Sequence, residues 1–138
     1  HFGMRVKEAV NEKLTVAHPT EKHIMTLALT EIYEKPDSTR HYAKNVVIFG
    51  DNQVDRSPCG TGTSAAMAAL YGKEKLLLNT EFINEGIIGT RFKGRLVRAV
   101  KVGDFDAAAP IITGRAHLTG IQQFVTDPED PVKYGFRV

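Results

Sequence analysis

Residues 55–65 read DRSPCGTGTSA and contain the only cysteine of the chain, Cys59. Pro58 fixes the backbone just before the thiol. Gly60 and Gly62 let the following peptides take unusual dihedrals and keep side chains out of the way. Thr61 to Ser64 then lead into an Ala-rich stretch, TSAAMAALYG at 63–72, whose composition predicts a helix ended by Gly72. A helix start presents N–H groups without intrahelical partners and a partial positive charge. Such an end holds a carboxylate or phosphate and favours thiolate over thiol. One short element therefore offers an anion cradle beside a sulfur base. Removing a proton from a carbon next to a carboxylate needs that pairing, because negative charge grows on the carboxylate as the proton leaves. The plainer reading is a small buried thiol in a Gly-rich turn, the commoner fate of a free cysteine.

Two other features of the segment have alternative readings. GTGTSA at 60–65 fits the G-x-G-x-x-A dinucleotide fingerprint, with Glu81 about 20 residues on. Its context is poor, since nine residues, DNQVDRSPC, separate Gly60 from the preceding apolar run NVVIFG. A P-loop is excluded because no Lys follows the glycines. Asp55, four residues before the thiol, can cap the loop, pair with Arg56 or hold a substrate ammonium; turn chemistry favours the structural role. His18 and His23 flank a proline without further ligands at metal spacing, so no metal site is expected. His41 reads as solvated, His117 as a strand residue, and Arg91, Lys93 and Arg95 as a solvated basic face.

The elements that must position Cys59 follow from the apolar pattern. Val6, Val10 and Leu14 recur every four residues and predict a helix over 3–14. Alternation or β-branched runs predict strands at 24–34, 45–50, 75–83, 91–100 and 110–125, the last one bent or divided near Gly114. KPDSTR at 35–40 and DPEDP at 127–131 read as turns. Many strands with two helices and no βαβ alternation predict an α+β fold, a curved, mostly antiparallel sheet around a helix. The chain's 138 residues make about one domain, with 42% hydrophobic and 25% charged residues. A net charge of +2 with no Trp gives no reason to expect nucleic acid or a membrane as partner. One cysteine suits a reducing compartment, and the cytoplasm is the expected location. The opening HFGMRV lacks an initiator Met and is read as a processed product or a piece of a longer chain.

DRSPCGTGTSA resembles the second active-site motif of the proline racemase family, which also contains 4-hydroxyproline epimerases and trans-3-hydroxyproline dehydratases. The likeness extends to KEAVNE (7–12), HP (18–19), GIIGTRFKGRL (86–96) and TGIQQF (119–124), and matches the later half of a family member. The resemblance implies a diaminopimelate epimerase-like fold of two lobes with the active site between them. It implies a two-base mechanism that uses no cofactor, with one cysteine on each face of the substrate's α-carbon. On this resemblance Cys59 is expected to be one of the two catalytic thiols, Gly60 and Thr61 to donate N–H groups to the substrate carboxylate, and Asp55 to help hold the ring nitrogen. Residues 1–115 are expected to form the second lobe, and 116–138 the terminal strands that pack on the first. The other cysteine then lies outside this chain, so these 138 residues alone are expected to be inactive, and the complete enzyme to be a homodimer. The dehydratases of the family usually carry threonine where Cys59 stands, so the resemblance favours racemase or epimerase over dehydratase. A lobe that only binds small carboxylates is the remaining alternative.

Overall fold

The computed structural model describes residues 1–35 and 39–137. The first helix, α1 (Phe2–Lys13), carries half-buried Val6 and Val10 on one face, as their spacing predicts. Leu14 falls just outside it as an exposed, extended C-cap. Gly3 is the buried contact: a Cβ there would lie 2.5 Å from Ile48 Cδ1. Asn11 clamps the next segment by accepting from Leu27 N–H (2.9 Å) and donating to Leu27 C=O (3.1 Å).

Strands β1 (Leu29–Tyr33) and β2 (Tyr42–Phe49) pair antiparallel, Leu29 opposite Phe49. The predicted strand at 24–34 thus begins only at Leu29. The predicted turn at 35–40 lies partly outside the described residues. Successive β2 side chains face opposite sides of the sheet. Ile48 meets α1, while Ala43, Asn45 and Val47 are buried on the other side. A short strand, β3 (Gln53–Val54), returns on β2 through a turn with positive φ at Gly50 and Asn52. Two residues are too few to leave a pattern, and the sequence reads this stretch as loop.

Helix α2 (Gly60–Gly72) starts three residues earlier than its Ala-rich composition predicts. Gly62 sits in its first turn because the helix approaches the sheet closely there: a Cβ would be 3.0 Å from Val47 Cγ2. Strand β4 (Phe82–Glu85) runs parallel to β2 and antiparallel to β5 (Arg91–Val102). Strand β6 (Phe105–Thr113) completes a hairpin with β5 around Gly103, with a bulge between Leu96 and Arg98. The sheet order is β1-β2-β4-β5-β6 with β3 beside β2, and only the β2–β4 pair is parallel. An α+β chain with a mostly antiparallel sheet is therefore what forms.

The core lies between α2 and the sheet. Met67 of α2 packs with Ala43, Leu76, Phe82 and Leu96, and Leu70, Tyr71, Ala108 and Ile112 close the edges. Gly94 makes room for the helix, since a Cβ there would be 2.7 Å from Met67 Sδ.

Two predicted strands differ from the fold. Of 75–83, only Phe82 and Ile83 belong to a strand. The leucine run instead forms a connection that drops Leu76 into the core, leaves Leu77 exposed and turns at Asn79 with φ 60°. Residues 114–137 form no strand or helix, so the predicted strand at 110–125 ends at Thr113. Apolar residues are in place beyond it, but a ladder needs a partner. Leu118, Ile121, Phe124 and Val125 are 84–91% exposed. No described helix is long and apolar enough to cross a membrane.

Candidate active site

Cys59 is the N-cap of α2 and is nearly buried, with 8% of its surface exposed. Its backbone has φ 63° and ψ 122°, a conformation that L-residues with a side chain rarely adopt. Its Sγ accepts the N–H of Gly62 at 3.4 Å and lies 3.2 Å from Thr61 Oγ1. Its carbonyl accepts Thr63 N–H at 2.9 Å. The N–H groups of Gly60 and Thr61 meet no acceptor among the described residues. A Cβ at Gly60 would meet nothing within 4 Å, so the space in front of this turn is open. The glycines at 60 and 62 therefore differ in role. Gly62 permits helix packing, whereas Gly60 leaves clear the approach to the unpartnered N–H groups.

Ahead of the thiol, the loop is held by a relay of short-range bonds. Asp55 N–H donates to Val47 C=O (2.9 Å), Asp55 Oδ1 accepts Ser57 N–H (2.8 Å), and Ser57 Oγ accepts Cys59 N–H (3.0 Å). Asp55 thus has the turn role its type predicts and stands one hydrogen-bonded step from the thiol's own peptide.

Behind the thiol, polar side chains are buried. Pro58 C=O accepts from Asn45 Nδ2 (2.8 Å) and Thr63 Oγ1 (3.3 Å). Thr63 Oγ1 in turn accepts from Asn84 Nδ2 at 3.0 Å, and Asn45 also donates to Glu31 Oε1 at 2.6 Å. Gly86 backs the same loop, since a Cβ there would be 3.1 Å from Pro58 N. Sequence reasoning assigned no role to Asn45, Asn84 or Gly86. The signal was an asparagine at an inward position of a strand, between Ala43 and Val47 in AKNVV.

The other sequence candidates lie apart. His18 Nδ1 accepts Glu21 N–H at 3.0 Å and shapes its own turn. His41 is half-buried rather than solvated, at φ 48°, with its carbonyl bonded by Ile83 N–H. Two of the three basic residues on β5 are paired: Arg91 Nε lies 2.7 Å from Glu85 Oε2, and Lys93 Nζ lies 3.3 Å from Glu81 Oε1, while Arg95 is exposed. The Arg91 hydrogen bond holds the Glu85 carboxyl below its ordinary range. Burial and then the Glu85 charge push the Tyr42 hydroxyl upward. The fingerprint reading loses its frame. β3, the last strand before Gly60, is antiparallel to β2, and exposed Glu81 is taken by Lys93. An open cleft of about 900 Å³ lined by Ser57, Thr90, Phe92, Arg115 and His117 touches the motif only at Arg56 and Ser57. The unpartnered N–H groups of Gly60 and Thr61 lie at the start of α2, beside Cys59.

Comparison with known proteins identifies the family. The family model described as proline racemase matches residues 1–137. A proline racemase of Acetoanaerobium sticklandii is 54% identical over 137 residues, which cover 99% of this chain and 41% of that one. A probable 4-hydroxyproline 2-epimerase of Rhizobium meliloti is 43% identical over 137 residues, covering 99% of this chain and 41% of its own. Other matching relatives are trans-3-hydroxy-L-proline dehydratases. The crystal structure of a hydroxyproline epimerase from Agrobacterium vitis, with bound trans-4-hydroxy-L-proline, superposes with a TM-score of 0.81. It is 31% identical, and the match covers 99% of this chain and 39% of that one. The chain thus spans about two fifths of the length of the curated relatives it matches. It belongs to the proline racemase family.

Proposed function

We propose that the chain is the second lobe of a racemase or epimerase that inverts the α-carbon of proline or 4-hydroxyproline without a cofactor. The observation that carries this reading is the N-cap position of Cys59, with two unpartnered N–H groups beside its sulfur. The substrate carboxylate docks on the N–H groups of Gly60 and Thr61. Asp55 presents its second carboxylate oxygen to the ring nitrogen. The Cys59 thiolate takes the α-proton: the C–H bond breaks, an S–H bond forms, and the electron pair spreads onto the carboxylate held at the helix start. A thiol of the other lobe then gives its proton to the opposite face, forming the new C–H bond. In the reverse direction the two sulfurs exchange roles. Residues 116–138 pack on that other lobe, which would cover the exposed Leu118, Ile121 and Phe124. A pair of thiols that must stay reduced suits the cytoplasm.

The test is Cys59→Ser in the complete enzyme. A serine hydroxyl does not ionise near neutral pH, so racemisation should fall by more than the roughly 10²–10⁴-fold typical of a general acid–base group. Circular dichroism should be unchanged. Retention of a tenth of the activity, followed by polarimetry, removes Cys59 from the mechanism. The 138-residue chain alone should show no inversion of L-proline or trans-4-hydroxy-L-proline in deuterated water. Steady inversion by it would demand a second acid–base group within these residues.

A further inference from the structure

Among the described residues, three polar side chains are buried: Asn45, Thr63 and Asn84, at 4%, 0% and 0% exposure. All three converge on one carbonyl. Asn45 and Thr63 donate to Pro58 C=O, and Asn84 donates to Thr63. They come from three elements, β2, α2 and β4, so the convergence is a property of the assembled lobe. The opposite edge of the same peptide is also engaged, because Cys59 N–H donates to Ser57 Oγ. Gly86 lies close to the preceding Ser57–Pro58 peptide, where an added Cβ would be 3.1 Å from Pro58 N. The Pro58–Cys59 peptide plane is thus held at its oxygen and at its hydrogen.

Burying an amide or hydroxyl is unfavourable unless its hydrogen bonds are made. Here the amide oxygens of Asn45 and Asn84 are buried without a partner. That cost would be needless if the peptide only had to close a turn, because glycine at 59 would accept φ 63° freely. The clamp makes sense if the direction of the Cys59 Cα–Cβ bond matters, since the peptide plane and φ together set that direction.

We infer that Asn45, Thr63 and Ser57 are positioning residues that aim the Cys59 sulfur by locking the Pro58–Cys59 peptide. They touch neither substrate nor proton. The inference rests on the proposed role of Cys59 and adds residues that fix its geometry. A misplacement of about 1 Å in a reacting group can cost about 10²-fold in rate. Loosening either edge of the peptide should therefore lower kcat while leaving the carboxylate cradle, and hence KM, nearly intact.

The experiment uses the complete enzyme with four variants. Thr63→Val removes the hydroxyl at constant shape, Thr63→Ser keeps it, Ser57→Ala frees the Cys59 N–H, and Cys59→Ser is the reference for the thiol. Thr63→Val and Ser57→Ala should each lower kcat by about 10–100-fold with KM within about threefold. Thr63→Ser should recover most of the Thr63→Val loss. Should Thr63→Val fail to fold, Ser57→Ala decides, because Ser57 lies half-buried in the loop and outside the core. Folded Thr63→Val and Ser57→Ala enzymes with unchanged kcat, beside an inactive Cys59→Ser, would overturn the clamp and leave the proposed function standing. Equal losses in Thr63→Val and Thr63→Ser, or losses confined to KM, would also overturn it. An active Cys59→Ser would overturn both.

Discussion

Around Cys59, residues from β1, β2, α2 and β4 form one hydrogen-bond network that ends on a single peptide, and Cys59 is almost covered. Beyond Thr113 the same chain exposes Phe124 at 90%, Tyr134 at 91% and Phe136 at 77%. The first region carries its own supports. The second presents large apolar groups at a density that an isolated surface rarely tolerates. The difference separates a region packed and hydrogen-bonded by these residues themselves from one whose large side chains stay exposed in this chain.

The comparison is tested most strongly by deleting side chains in both regions. Met67 is fully buried, so Met67→Ala in the 138-residue chain should cost about 2–5 kcal/mol in urea unfolding. Phe124→Ala should change it by less than about 0.5 kcal/mol, as for most exposed positions. Similar losses in the two variants would mean that the terminal segment is already packed and would erase the contrast.

Glycines give a smaller and sign-dependent contrast. At Gly86 a Cβ would lie 3.1–3.4 Å from backbone atoms of Ser57 and Pro58, which have little room to yield. Gly86→Ala should destabilise by about 1–3 kcal/mol, as overpacking does. At Gly72 a Cβ meets nothing within 4 Å. Gly72→Ala should instead be neutral or stabilising by up to about 1 kcal/mol. Thermal melts of both variants suffice, and a neutral Gly86→Ala would show that the loop before Cys59 is not tightly backed.

A titration sharpens the picture on the sheet. Hydrogen bonding to Arg91 depresses the Glu85 carboxyl. A depressed acid adds stability above its unfolded-state pKa and loses it as pH falls through the folded value. The advantage of wild type over Glu85→Gln in melting temperature should therefore be present at neutral pH and vanish below the usual carboxylate range. An advantage that persists in strong acid would contradict the ion pair. The smallest effect belongs to Glu81 and Lys93, whose side chains are 58% and 60% exposed. Breaking that pair with Glu81→Ala should cost about 0–1 kcal/mol and less in high salt.

The sequence made some of this legible and hid the rest for physical reasons. Local periodicity located α1, β2, α2 and β5, because Val6, Val10, the NVVIF run and the Phe92–Gly94–Leu96 alternation report which face is buried. The start of α2 was misplaced because Gly60 and Gly62 look like loop residues. Their reasons, open space at 60 and contact with Val47 at 62, are tertiary. The Leu76–Leu78 run imitates a strand although only Leu76 reaches the core as a fully buried side chain. Chemical type and setting singled out Cys59, whereas the substrate-binding roles of Asp55, Gly60 and Thr61 came only from the family resemblance. Asn45 and Asn84 escaped because their partners, Pro58 and Thr63, are 13 and 21 residues away and meet only in the folded sheet.

The positive φ of Cys59 carries a consequence for how such a chain can change. A non-glycine residue in a sparsely populated conformation costs on the order of 1–3 kcal/mol. Glycine at 59 would relieve that strain and remove the thiol. On the proposed catalytic role of Cys59, pressure for a more robust fold and pressure for chemistry oppose each other at this one residue. Laboratory selection on heat resistance alone should drift toward Cys59→Gly, whereas selection on turnover should hold cysteine there.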